Sequence, residues 1–158
     1  MGAAEEEGES LTVVGRMLRV GERAPDFTLD HTGGPVSLAD LAGSTVVLNV
    51  VNSVDTPVCD IQTRHVDDLF PGAKVLTVSM DLPFALDRWT AAAGVTHRAV
   101  SSHRSEEFGR EYGVLIKEWR MLQRAMFVID GNGHLTHVEY VADQMEQPDY
   151  DAAVAAAT

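Results

Sequence analysis

Cysteine, basic residues and long apolar runs are all scarce in this chain. Cys59 is the one cysteine in 158 residues, so no disulfide framework can hold the fold, and the composition suits a reducing compartment such as the cytoplasm. Twelve Lys and Arg against 24 Asp and Glu leave a formal charge of −12, which argues against nucleic acid and anionic membrane surfaces as partners. No stretch approaches the ~20 apolar residues that a membrane-spanning helix needs. The first ten residues, MGAAEEEGES, carry four glutamates and no apolar core segment; they read as a disordered acidic tail, not a signal peptide. There is no P-loop, no dinucleotide fingerprint and no nucleophile elbow. No cofactor or metal is expected: the six histidines are scattered, and His134 and His137, three apart on a predicted strand, point to opposite faces.

Residues 11–158 are expected to form one domain, long enough to bury a core without staples. Its centre is Val46–Phe70, VVLNVVNSVDTPVCDIQTRHVDDLF. Val46–Val51 is short, rich in valine and followed by turn residues, which predicts a buried strand. A helix follows, with Asp55 or Thr56 as N-cap, Pro57 at the first helical position, and Val58, Ile61, Val66 and Leu69 as the inward face. Cys59 then lies in the first turn, where the helix dipole favours the thiolate, the reactive form of a cysteine. The Thr56 hydroxyl, three residues earlier, is placed to donate to the sulfur. A lone cysteine is more often a buried structural thiol; the strand, the turn, Thr-x-x-Cys and the helix start together favour a reactive one.

Around this centre, Leu11–Val14 and Met17–Val20 suggest an N-terminal β-hairpin, Lys74–Ser79 a strand parallel to the first, and Phe84–Ala93 a helix after Pro83. Ala99–Ser101 reads as a short strand, and 105–112 as a helix with Ser105 as its cap. Arg124–Ile129 and His134–Val141 flank Asp130-Gly131-Asn132-Gly133, a strong hairpin signal. A terminal helix covers 149–157. The pattern is α/β, a central mixed sheet with helices on both faces. Arg124 at the start of a central strand is unusual, because a buried guanidinium needs partners; a salt bridge and an active-site role are both open on periodicity alone. Arg64 is a surface residue or part of a dimer contact, and Trp89 and Trp119 belong to the core, to an apolar pocket or to a dimer surface.

Ser53–Cys59 (SVDTPVC) with Asp60–Arg64 resembles the active-site signature of the thiol peroxidase subfamily of peroxiredoxins. Gly21–Leu29 (GERAPDFTL), Ser79–Ala85 (SMDLPFA), Arg124–Asp130 (RAMFVID) and Glu146–Ala153 (EQPDYDAA) resemble further blocks of that subfamily, in order and spacing. The resemblance covers nearly all of the chain after its first ten residues. It implies a thioredoxin-like fold of the peroxiredoxin form, with Cys59 as peroxidatic nucleophile and Thr56 and Arg124 as catalytic partners. It also implies reduction of hydrogen peroxide and organic hydroperoxides through a sulfenic acid, and a homodimer.

The chain departs from the pattern twice. Asn52 stands where the motif Pro-x-x-x-Thr-x-x-Cys has its proline, so Asn52, together with Val58, is expected to shape the substrate pocket. Thr90 stands where the resolving cysteine is usual, so regeneration falls to an external thiol, either a small thiol or a thioredoxin-like protein. A redox sensor built on Cys59 and a non-catalytic thioredoxin-fold binding module are the competing functions.

Overall fold

The computed structural model describes residues 2–6 and 8–158. Its strands are β1 (Ala3–Glu6), β2 (Glu9–Val14), β3 (Thr28–Leu29), β4 (Val36–Ser37), β5 (Val46–Val50), β6 (Lys74–Ser79), β7 (Arg98–Ser101), β8 (Leu115–Ile116), β9 (Met121–Leu122), β10 (Ala125–Ile129) and β11 (Leu135–Tyr140). Its helices are α1 (Pro57–Val66), α2 (Pro83–Ala93), α3 (Glu107–Glu111) and α4 (Tyr150–Ala157), with one 3-10 turn at Ala39–Leu41.

Five strands form the central sheet in the order β11-β10-β5-β6-β7. The α1 and α2 crossovers make β5, β6 and β7 parallel, because a helix between strands returns the chain to the same end of the sheet. The short turn after Ile129 makes β10 and β11 antiparallel. Within that turn Asp130 accepts from the N–H groups of Asn132 (2.9 Å) and His134 (3.0 Å), and Gly133 takes φ 84°, a conformation glycine adopts without steric cost.

Strand alternation sorts the side chains onto two faces. Val46, Leu48, Val50, Leu76, Val78, Phe127 and Ile129 join Phe27, Phe108 and Tyr112 in the larger apolar core. Val47, Met126 and Val128 face the other way, against Val66 and Phe70 and against Ala153 of α4. Asn49 pairs in register with Met126 on one side and Thr77 on the other, so both polar residues lie on this second face, under α1.

Two expectations are corrected here. Residues 3–6 are not a disordered tail: they pair with 9–12 as β1 and β2, and the hairpin lies there, not across Leu11–Val14 and Met17–Val20. Met1 and Glu7 are outside the described residues. Tertiary contacts hold this charged segment. Ala4 is buried with Val13 and Ile116, Glu5 N–H donates to Ala142 O (2.7 Å), and Glu5 O accepts from Gln144 N–H (2.9 Å). The inward face of α1 matches the predicted one only in part: Val66 is buried and Leu69, just beyond the helix, packs against the core. Ile61 is 58% exposed, whereas Cys59, Gln62, Thr63 and Val66 are buried, because the sheet beneath this helix presents polar partners.

Candidate active site

After β5 the chain turns through Val51–Thr56 into α1, and Asp81 pins that turn. Its carboxylate accepts from Ser53 Oγ (2.8 Å), Val54 N–H (3.0 Å) and Ser79 Oγ (2.8 Å). Thr56 is the N-cap residue and Pro57 occupies the first turn, but the Thr56 side chain makes no capping bond. Its hydroxyl donates to Ser53 O (3.0 Å) and not to the sulfur as expected, because the tight turn brings that carbonyl close and a hydroxyl has one proton to give.

Cys59 is fully buried among Val51, Val54, Leu86, Trp89 and Ala99. Its Sγ–H donates to Asn52 Oδ1 at 3.7 Å. The same oxygen accepts from Arg124 Nη2 at 3.4 Å, so the Asn52 carboxamide stands between thiol and guanidinium. Asn52 is held there by its Nδ2, which donates to Leu122 O (2.7 Å) and Gln144 Oε1 (3.1 Å).

Arg124 is 1% exposed and, among the described residues, meets only neutral acceptors. Nη1 donates to Gln62 Oε1 (2.5 Å) and Nη2 to Gln144 O (2.7 Å), while its backbone N–H donates to Gln144 Oε1 (2.8 Å). Its Nε–H is buried and has no partner among the described residues. The salt-bridge alternative is therefore not what occurs: among the described residues no carboxylate pairs with Arg124.

Asn52, Thr56, Val58, Trp119, Arg124 and Met145 line an open, largely apolar cleft of about 500 Å³, which also reaches Glu6 of β1. The structure thus brings Cys59, Asn52 and Arg124 together, and it puts Thr56 and Val58 on the cleft wall beside them. Trp119 belongs to this cleft. Trp89 belongs to the core, and its indole N–H donates to Asp60 Oδ1 (2.8 Å). Arg64 pairs with Asp60 (3.0 Å) and lies over the Trp89 ring. Tyr150 of α4 donates its hydroxyl to Gln147 Oε1 and meets the His65 ring edge-on at 4.5 Å. Burial pushes its hydroxyl up to about 12, with Arg124 opposing the shift and Glu139 and Cys59 adding to it.

Gln62 and Gln144 hold Arg124 and were missed from the sequence. Gln62 lies three residues after Cys59, on the same helix face, which is a usable signal. Gln144 carries none, since it lies in a loop and reaches Arg124 only through the tertiary fold.

The Redoxin family pattern matches residues 19–154. The thiol peroxidase of Halalkalibacterium halodurans is 46% identical over 156 residues, covering 96% of this chain and 94% of that protein. The thiol peroxidase of Bacillus subtilis is 41% identical, covering 96% and 93%. The crystal structure of a peroxiredoxin-like protein from Aquifex aeolicus superposes with a TM-score of 0.89 at 32% identity, covering 97% of this chain and 94% of that one. This places the mixed sheet and its helices in the peroxiredoxin form of the thioredoxin-like fold. Likeness of this extent in both sequence and backbone makes the assignment plain: the chain belongs to the Redoxin family, as a thiol peroxidase of the peroxiredoxin type that carries a single cysteine.

Proposed function

We propose that Cys59 is the nucleophile of this thiol-dependent peroxidase, with Arg124 and Thr56 as catalytic partners and hydrogen peroxide and organic hydroperoxides as substrates. The observation that carries the reading is Arg124. A buried cation facing only neutral acceptors is costly to desolvate, by several kcal/mol, and that cost falls when an anion forms beside it. The Cys59 thiolate, one shared carboxamide oxygen away, is that anion.

In the reaction, sulfur attacks the terminal peroxide oxygen. The S–O bond forms as the O–O bond breaks, the leaving oxygen takes a proton and departs as water or alcohol, and Cys59 becomes a sulfenic acid. Negative charge grows on the leaving oxygen, and the unpaired Nε–H of Arg124 is a donor free to meet it. The Thr56 hydroxyl proton is engaged by Ser53 O, so its lone pairs are free to accept the peroxide O–H. The substrate oxygen takes the place of Asn52 Oδ1, which already accepts from both thiol and guanidinium, and Val58 forms the cleft wall along which an alkyl group lies.

The sulfenic acid is reduced by an external thiol, which attacks Cys59, releases water and leaves a mixed disulfide that a second thiol resolves. A small thiol or a thioredoxin-like protein serves, since Thr90 on α2 offers no sulfur. No helix among the described residues is long and apolar enough to cross a membrane; a cytoplasmic setting fits the single thiol, and a homodimer is what the family resemblance implies.

The test is the rate at which reduced protein loses its thiol to one equivalent of hydrogen peroxide or of cumene hydroperoxide, with intact mass and a sulfenic-acid trap identifying the product. A rate orders of magnitude above that of free cysteine, with a trapped sulfenic acid, is expected. A rate equal to that of free cysteine defeats the assignment of roles.

A further inference from the structure

Behind Arg124 a run of buried hydrogen bonds leads away from the cleft. Arg124 Nη1 donates to Gln62 Oε1, Gln62 Nε2 donates to Asn49 Oδ1, and Asn49 Nδ2 donates to Thr77 Oγ1 at 3.0 Å. Thr77 Oγ1 lies 2.7 Å from His97 Nε2, and His97 Nδ1 lies 2.8 Å from Asp67 Oδ1. Arg124, Gln62, Asn49 and Thr77 are buried, and the His97 and Asp67 side chains are only 5% and 11% exposed.

Bonding fixes the direction of every link. Arginine only donates, so Gln62 must turn its oxygen to Arg124 and its nitrogen to Asn49. Asn49 then presents its oxygen to Gln62 and its nitrogen to Thr77. At the far end Asp67 Oδ1 already accepts from the N–H groups of Thr96 (2.8 Å) and His97 (3.1 Å) and from the Thr96 hydroxyl (3.0 Å). It is a carboxylate with nothing to donate. His97 therefore carries a proton on Nδ1, and in the neutral ring that burial favours Nε2 accepts from the Thr77 hydroxyl. All five bonds point the same way, from a cation to an anion, and bonds aligned in series polarise one another.

We propose that this chain is a positioning network for peroxide reduction: Gln62, Asn49, Thr77 and His97, terminated by Asp67, hold the Arg124 guanidinium in the orientation that meets the Cys59 sulfur and the peroxide oxygen. The proposal rests on the roles assigned above to Cys59 and Arg124. The arrangement has a physical rationale. A carboxylate bonded directly to Arg124 would orient it and also neutralise it. Neutral amides orient it equally well, and the compensating charge stays five hydrogen bonds away, so the positive field remains available to the reacting atoms. His97 and Asp67 are positioning residues, and they line a separate cleft of about 390 Å³ with Lys74 and Arg98, away from Cys59.

The experiment compares Thr77→Val, which keeps shape and breaks the chain, with Thr77→Ser, which restores the hydroxyl. The second-order rate constant for Cys59 oxidation by hydrogen peroxide is expected to fall about tenfold in Thr77→Val, as for a misplaced reacting group, and to recover in Thr77→Ser. The His97 ring resonances are expected to shift when Cys59 is oxidised in the parent protein and not in Thr77→Val, a response that packing alone does not produce. A folded Thr77→Val that keeps its rate within about twofold of the parent overturns the proposal. If Thr77→Val does not fold, Asp67→Asn decides. Its Oδ1 keeps every accepted bond while the charge is lost and an NH2 replaces Oδ2, so a slower rate in the folded variant supports the network and an unchanged rate overturns it. A parent protein no faster than free cysteine instead defeats the underlying reading of Cys59, a result distinct from any difference among variants.

Discussion

Along β5 the side chains of Val46, Leu48 and Val50 enter one face of the central sheet, and those of Val47 and Asn49 enter the other. The first face carries the larger apolar core and closes on an aromatic cluster in which Phe108 stacks on Tyr112 at 4.5 Å and Phe27 meets both edge-on. The second carries Asn49, Thr77 and Arg124 beneath a helix that buries Cys59, Gln62 and Thr63. Burial is equally complete on both. One face gains stability from area removed from water, while the other spends area on groups that need partners and gains orientation. The same strands supply both because neighbouring residues point oppositely.

Substitutions on each face sharpen this contrast. Arg124→Gln is expected to slow Cys59 oxidation by about 10²–10³, the usual loss for a removed charge-stabilising donor, as measured by stopped-flow with hydrogen peroxide. A smaller loss than that in urea stability separates its chemical role from a structural one. Leu48→Ala, one residue from Asn49, is expected to do the reverse. It should cost ~2–5 kcal/mol in urea unfolding, as core truncations do, and leave the rate per folded molecule unchanged.

Asn52→Ala removes the oxygen that sits between thiol and guanidinium, so the rate should rise several-fold. A fall instead would make Asn52 a support for Arg124 and not an occupant of the substrate's place.

The smallest expected effect is on pH dependence, and its sign differs between the faces. On the polar face burial depresses His97 below its ordinary 6.5, with Asp67 partly opposing. Burial raises Asp67, and hydrogen bonds from Thr96 and His97 outweigh it, leaving the group below 3.8. In both cases the unfolded chain binds the proton more readily. Stability is therefore present above the unfolded values and falls as pH drops below 6.5 for His97, and below 3.8 for Asp67. On the apolar face burial, with smaller contributions from nearby acidic groups, pushes Tyr112 above 10.0, so stability is present below that value and falls as pH rises through it. Urea titrations should show a flatter acid limb in His97→Gln and a flatter alkaline limb in Tyr112→Phe; unchanged limbs would remove these groups from the account.

Much of the framework was legible locally. The strand at Val46, the helix start at Pro57, the hairpin around Asp130–Gly133 and the terminal helix each carry their own signals in a few consecutive residues. An N-terminal hairpin was expected, but its place in the chain was not legible. A glutamate-rich stretch has little reason to order itself, and this one is held by Ala142, Gln144 and the Ala4–Val13–Ile116 cluster. The buried face of α1 was misread in part, at Ile61, for a related reason. Ile61 is the natural inward residue by hydropathy, yet Gln62 and Thr63 turn inward because Asn49 and Arg124 await them.

By itself the sequence determined where the single cysteine lies, at the start of a helix after a buried strand, and that an arginine leads into a later apolar strand. Those are consequences of side-chain period, turn chemistry and proline placement, which act over a few residues. Only the tertiary structure decided that Arg124 meets Gln62, 62 positions away, and Gln144, 20 positions away, and that Thr56 turns from the sulfur to Ser53 O. Hydrogen bonds are short and directional, so their partners are set by strand register and helix rotation, neither of which exists until the sheet has formed.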